Sequence, residues 1–147
     1  MIEAPLSAPL AHPTPLSLTP QINCRNATVT VVINGTEILG IIDSAAQVTV
    51  MDTQCWKDVM HCEPIGEAIY LRQADGKSTL RATLVSSVKI DMGTYSTTMP
   101  IHVTPIADTM LLGLDFLLSA NAIIDLAENN LVINNCHIPQ RSNYWNS

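Results

Sequence analysis

From residue 27 to residue 103 the chain returns again and again to one pattern, a short apolar, β-branched run followed by a tight turn. Ala27–Ile33 (ATVTVVI) is the clearest run, and the Asn34-Gly35 pair behind it is a strong two-residue hairpin signal. Glu37–Ile42 returns as a second strand and runs straight into Asp43, and Gln47–Met51 resumes the extended pattern. Further strands are predicted over Ala68–Arg72, Leu80–Ile90 and Tyr95–Val103, with turns at Asp75-Gly76 and Met92-Gly93. One or two short helices interrupt them. The first covers Thr53–Met60, where Trp56, Val59 and Met60 share a face, and a second fits Leu114–Ser119. Last strands are expected near Ala122–Leu126 and Leu131–Ile133. Many short strands with turn signals roughly every ten residues predict a closed all-β architecture.

The flanks read differently. Five of the nine prolines fall in the first twenty positions, so residues 1–22 are expected to form a proline-rich flexible linker. Residues 139–147 are polar apart from Tyr144 and Trp145 and are expected to be a loose tail, which leaves 23–138 as the folded domain. Thirteen acidic residues against seven basic ones, spread along the chain, argue against a nucleic-acid partner, which needs clustered Lys and Arg. No apolar run approaches the ~20 residues that span a bilayer, so no membrane partner is expected. The opening segment lacks a basic stretch followed by an unbroken apolar one, so it does not read as a signal peptide. Cys24, Cys55, Cys62 and Cys136 are then read as reduced thiols, and the expected location is intracellular and cytoplasmic. They make no C-x-x-C pair, and the His61-Cys62 and Cys136-His137 doublets are awkward for two ligands on one ion, so no metal and no cofactor are expected. His12 and His102 have no visible partners and read as incidental.

The segment that can carry chemistry is Ile41-Ile42-Asp43-Ser44-Ala45-Ala46-Gln47-Val48-Thr49-Val50. Its acid directly follows an apolar strand and precedes three small residues, which puts a carboxylate at the edge of a packed core, where desolvation perturbs its pKa. Taken alone, the same residues also fit an Asp capping an ordinary turn. Two other features belong with it: the polar turn Gln73-Ala74-Asp75-Gly76-Lys77, and the run Leu111-Leu112-Gly113-Leu114-Asp115-Phe116-Leu117 with Ile124-Asp125-Leu126 behind it. In this order the three resemble the retropepsin-like aspartic proteases of retroviruses, long-terminal-repeat retrotransposons and their domesticated cellular relatives. The resemblance covers about residues 27–134 and rests on Asp43-Ser44-Ala45-Ala46, the hairpin around Ala74–Lys77, and Leu111-Leu112-Gly113.

The resemblance implies a retropepsin-like acid-protease barrel acting as a symmetric homodimer on polypeptide substrates. Asp43 is the implied catalytic acid, Ser44, Ala45 and Ala46 complete its loop, and Ala74, Asp75, Gly76 and Lys77 form a flap over the substrate. Leu112 and Gly113 support the loop from behind. One chain supplies a single Asp-Ser motif, since Asp115 and Asp125 stand in other contexts, whereas the chemistry needs two carboxylates. A twofold axis would bring Asp43 beside its mate, and carboxylates about 3 Å apart hold one proton between them. Ser44 would bond across that axis; a local turn bond is its other reading. The chain departs from the family at Ala45, where glycine is usual. The implied function is therefore an aspartic endopeptidase acting on a polyprotein. Its alternative is a catalytically impaired dimerisation or interaction module.

Overall fold

The computed structural model describes residues 2–5, 27–73, 75–125, 127–128, 130–133, 136–139 and 141–142. Strand β1 (Ile2–Pro5) comes first, followed by β2 (Ala27–Ile33), β3 (Thr36–Ile42) and the two-residue β4 (Val50–Met51). Helix α1 (Thr53–Met60) leads to β5 (Glu67–Gln73), β6 (Thr79–Met92), β7 (Tyr95–Val103) and β8 (Met110–Leu112). Helix α2 (Leu114–Ser119) precedes β9 (Ile123–Asp125), β10 (Asn130–Ile133), β11 (Cys136–Pro139) and β12 (Arg141–Ser142).

The large sheet runs β1-β5-β6-β7-β4-β8-β3-β2-β12, and a further pairing of β6 with β2 closes six of these strands into a barrel. Closure removes the open edges that six short strands would otherwise expose. The expected all-β barrel with one or two short helices is therefore what the chain forms, and the helices are two. β2 and β3 meet at Asn34 and Gly35, whose φ angles of 53° and 75° are the left-handed values that a tight hairpin turn requires. The barrel is filled by alternate residues of its strands, among them Val29, Val31, Ile33, Ile90, Met92, Ile101, Met110 and Leu112, with Trp56 and Phe116 packed in from the helices. Asp52 caps α1 by accepting the N–H groups of Gln54 and Cys55, and His61 ends the helix in the left-handed conformation.

Strand β6, at 14 residues, is long enough to serve two structures. Its first half pairs with β5 as a hairpin, and its second half pairs with β7 and touches β2 at Asp91. Between Val85 and Val88 the register against β7 shifts. Pro100, which has no N–H to offer a ladder, lies opposite that shift, between the partners Met99 and Ile101.

Three differences from the sequence expectation have physical reasons. Gln47–Met51 shortens to Val50–Met51 because Gln47 and Thr49 spend backbone groups elsewhere: the Gln47 carbonyl accepts from Asp115 N, and the Thr49 carbonyl accepts from His102 N. Ile2–Pro5, inside the expected linker, pairs with β5, whose outer edge has no other strand among the described residues. Cys136–Pro139 and Arg141–Ser142, at the boundary of the expected tail, pair with β10 and β2. The rest of the expected linker, and Tyr144 and Trp145 in the tail, lie outside the described residues.

Candidate active site

Asp43 sits where β3 leaves the barrel. The strand is fixed there by parallel pairing with β8, Ile41 opposite Leu111 and Ile42 opposite Leu112, and the Asp43 N–H continues the ladder by donating to the Leu112 carbonyl at 3.0 Å. The chain then turns: Ala46 N–H donates back to the Asp43 carbonyl (3.1 Å), and Ala45 N–H donates to the Asp43 carboxylate (3.1 Å). Burial pushes the Asp43 carboxyl above its ordinary value, and the Ala45 amide opposes it without cancelling it. Asp108, on the loop before β8, adds a smaller upward push through its own negative charge. Ser44 and Ala45 are exposed, whereas Ala46 is fully buried.

The support behind this loop is closer than sequence spacing could show. Leu114 N–H donates to the Ala46 carbonyl at 2.8 Å, and Gly113 N–H donates to the Thr49 hydroxyl oxygen at 3.1 Å. That hydroxyl in turn donates to the Asp115 carboxylate at 2.6 Å, which also accepts the N–H groups of Thr49 (3.1 Å) and Phe116 (2.7 Å). A Cβ on Gly113 would lie 2.3 Å from the Val48 carbonyl oxygen and 2.9 Å from that of Ala46. Only glycine allows β8 to pass so near the loop. Thr49 and Asp115 are thus positioning residues that sequence reasoning passed over. Asp115 was visible only as an acid in the wrong context, and nothing local linked it to a threonine 66 residues away.

His102, read as incidental, is buried against this assembly, with its ring nitrogen 3.4 Å from the Thr49 carbonyl oxygen. Burial holds its imidazole below the ordinary value, opposed by that carbonyl contact and by the charge of Asp115.

The expected flap is the β5–β6 hairpin. Asp75 organises its tip: its carboxylate accepts the N–H groups of Lys77 and Ser78 (both 2.8 Å) and the Ser78 hydroxyl (2.6 Å). Ser78 first, then Lys77, holds the Asp75 carboxyl below its ordinary value. Gly76 takes φ 75° with open space around it and donates to the Gln73 carbonyl at 2.9 Å. Ala74 lies outside the described residues. The hairpin and the Asp43 loop share a small second core, in which Leu71 and Ala82 pack with Val50 and Leu111, and Ile41 and Val48 lie against them.

The arrangement is a carboxylate with a raised pKa on a turn of small residues, braced from behind by a Gly-opened strand and sharing a small core with a glycine-tipped hairpin. Residues 29–119 match the family model described as gag-polyprotein putative aspartyl protease. The chain belongs to that aspartyl protease family. The match spans β2 through α2 and so includes Asp43, the hairpin and Gly113. Among solved structures, this family member is similar to the retroviral protease-like domain of Ddi1 from Leishmania major. The identity is 19% and the TM-score 0.63, over 82% of this chain and 96% of that one, which establishes likeness of fold. Comparison with curated proteins returns no match.

Ala45 stands where the sequence resemblance implies a glycine. Among the described residues, the non-glycine positions with positive φ are Asn34, His61 and Asn121, so the backbone at Ala45 does not adopt the left-handed form that would demand glycine. The loop accommodates alanine without strain of that kind.

Proposed function

We propose that this aspartyl protease family member is a homodimeric endopeptidase that cleaves extended segments of a polyprotein. The observation that carries the reading is Asp43: a half-buried carboxylate, raised by desolvation and bonded by the Ala45 amide, inside the stretch that matches the family model. Within one chain, the Asp115 carboxylate is taken up by Thr49 and Phe116, and that of Asp125 accepts the Glu128 N–H. As the family resemblance implies, the second acid is assigned to Asp43 of a second copy. Each copy brings a carboxylate that burial already makes reluctant to ionise, and two such groups side by side share one proton. The ionised member takes a proton from water, which attacks the peptide carbonyl carbon. The protonated member hydrogen-bonds the developing oxyanion, and a proton then passes to the leaving nitrogen as the C–N bond breaks. Ser44 is exposed beside Asp43, which leaves its side chain open to a second copy. Cytoplasmic residence fits the free thiols of Cys55 and Cys62.

The test is hydrolysis of an unfolded protein or peptide library between pH 4 and 7 by the wild type and by Asp43→Asn, with and without a statine-type inhibitor. Cleavage that the inhibitor blocks and the variant lacks is expected. A variant retaining more than a few per cent of the rate would remove Asp43 from the chemistry. The second reading, a non-catalytic interaction module, draws on the exposed Ala45 methyl on the turn that a substrate must approach. It would show as dimers that cleave nothing.

A further inference from the structure

In the hairpin of β5 and β6, strand β5 is paired along both of its edges. On the inner edge, β5 pairs with β6 from Glu67 opposite Leu84 to Arg72 opposite Thr79, and Gln73 N–H donates to the Ser78 carbonyl at 2.9 Å. Backbone groups alternate between the two sides of a strand, so the N–H groups of Tyr70 and Arg72 face the outer edge. That edge is occupied. Ile2–Pro5 lies on it antiparallel, with Ile2 opposite Gln73 and Pro5 opposite Leu71, across a shift in register. Pro5 has no N–H to donate and marks where the pairing stops. The same hairpin is rooted through Leu71 and Ala82 in the core shared with the residues flanking Asp43.

We propose that residues 2–5 are a built-in occupant of the outer edge of β5, held there as an added strand, so that an extended peptide reaches this edge only by displacing them. Main-chain hydrogen bonds to an exposed edge give affinity for any extended peptide, and Ile-Glu-Ala-Pro meets that requirement in cis. A tethered occupant is present at high effective concentration, so a peptide from outside must displace it. That the displacing peptide is a substrate rests on the endopeptidase reading. The occupancy of the edge does not.

The experiment compares the full chain with the full chain carrying Ile2→Pro, Glu3→Pro and Ala4→Pro, which leaves no N–H donor along residues 2–5. Amide hydrogen exchange is followed at Tyr70 and Arg72, along with peptide hydrolysis. In the variant, exchange at these amides is expected to quicken about tenfold and to slow again when a synthetic peptide of residues 1–7 is added at millimolar concentration. KM for an added substrate should fall several-fold with kcat unchanged. Equal exchange in both proteins, or no recovery of protection with the peptide, would overturn the proposal even if both hydrolyse substrate. Changed exchange in two proteins that hydrolyse nothing would uphold strand addition and remove the endopeptidase reading instead.

Discussion

Burial and a backbone amide pull the Asp43 carboxyl in opposite directions, and burial has the larger effect. A carboxyl raised in the folded state binds a proton there that the unfolded chain has already released. Stability is then lost as pH rises from the ordinary value of 3.8 through the folded one. Asp43→Asn keeps an oxygen to accept the Ala45 amide and carries no charge. Calorimetry should show it melting above the wild type at pH 7, with the gap closing as the pH is taken below 4. A gap that persists in acid would mean that charge is not the cause. Ala45 makes a complementary case. Its backbone does not need glycine and its methyl is exposed, so the methyl acts on whatever approaches the turn rather than on folding. Ala45→Gly should lower stability by up to about 1 kcal/mol through the freer unfolded chain. It should also raise kcat/KM about tenfold, which is roughly 1.4 kcal/mol of transition-state stabilisation. Comparable rates for the two proteins on one peptide would show an enzyme already adapted to alanine.

Where β8 gives way to α2, a single glycine and a single hydroxyl hold the loop in place. Gly113→Ala puts a methyl group against backbone oxygens that cannot turn aside, so the loop itself must move. A loss of about 1–3 kcal/mol or more is expected in urea denaturation. Thr49→Val preserves shape but removes the group that accepts from Gly113 and donates to Asp115. Leaving buried partners unpaired should cost about 2–3 kcal/mol, and a cost under about 0.5 kcal/mol would show that other contacts fix the loop. These two elements also mark how far the sequence can be read. Thr53–Met60 was legible to the residue because the face shared by Trp56, Val59 and Met60 is a local signal, and Leu114–Ser119 also forms where it was expected. The Asn34-Gly35 hairpin was legible because few residues accept its φ angles. The Thr49–Asp115 bond was not, because side-chain hydrogen bonds across the barrel leave no periodic trace. Nor was the pairing of Ile2–Pro5, since a proline-bearing segment lends itself to an edge strand as readily as to a linker.

At the scale of the molecule, the proposed endopeptidase draws one catalytic acid, Asp43, from each chain, and on that reading assembly is a condition of activity. Sedimentation should show a symmetric dimer, and hydrolysis per chain should fall with dilution faster than in proportion. A monomer that still cleaves at nanomolar concentration would break the link between assembly and chemistry. The parallel pairing of β3 with β8 has a second consequence, in time rather than space. Ile41 cannot find Leu111, nor Leu39 its hydrogen bond from Thr109, until about seventy residues between them have been made and looped back. Contacts that close such long loops are slow to form and come late. On the ribosome, everything from Asp43 to the β5–β6 hairpin is therefore exposed before its brace exists, and the Asp43 loop is set only after Asp115 has emerged. No nascent chain holds a finished loop until its barrel shuts.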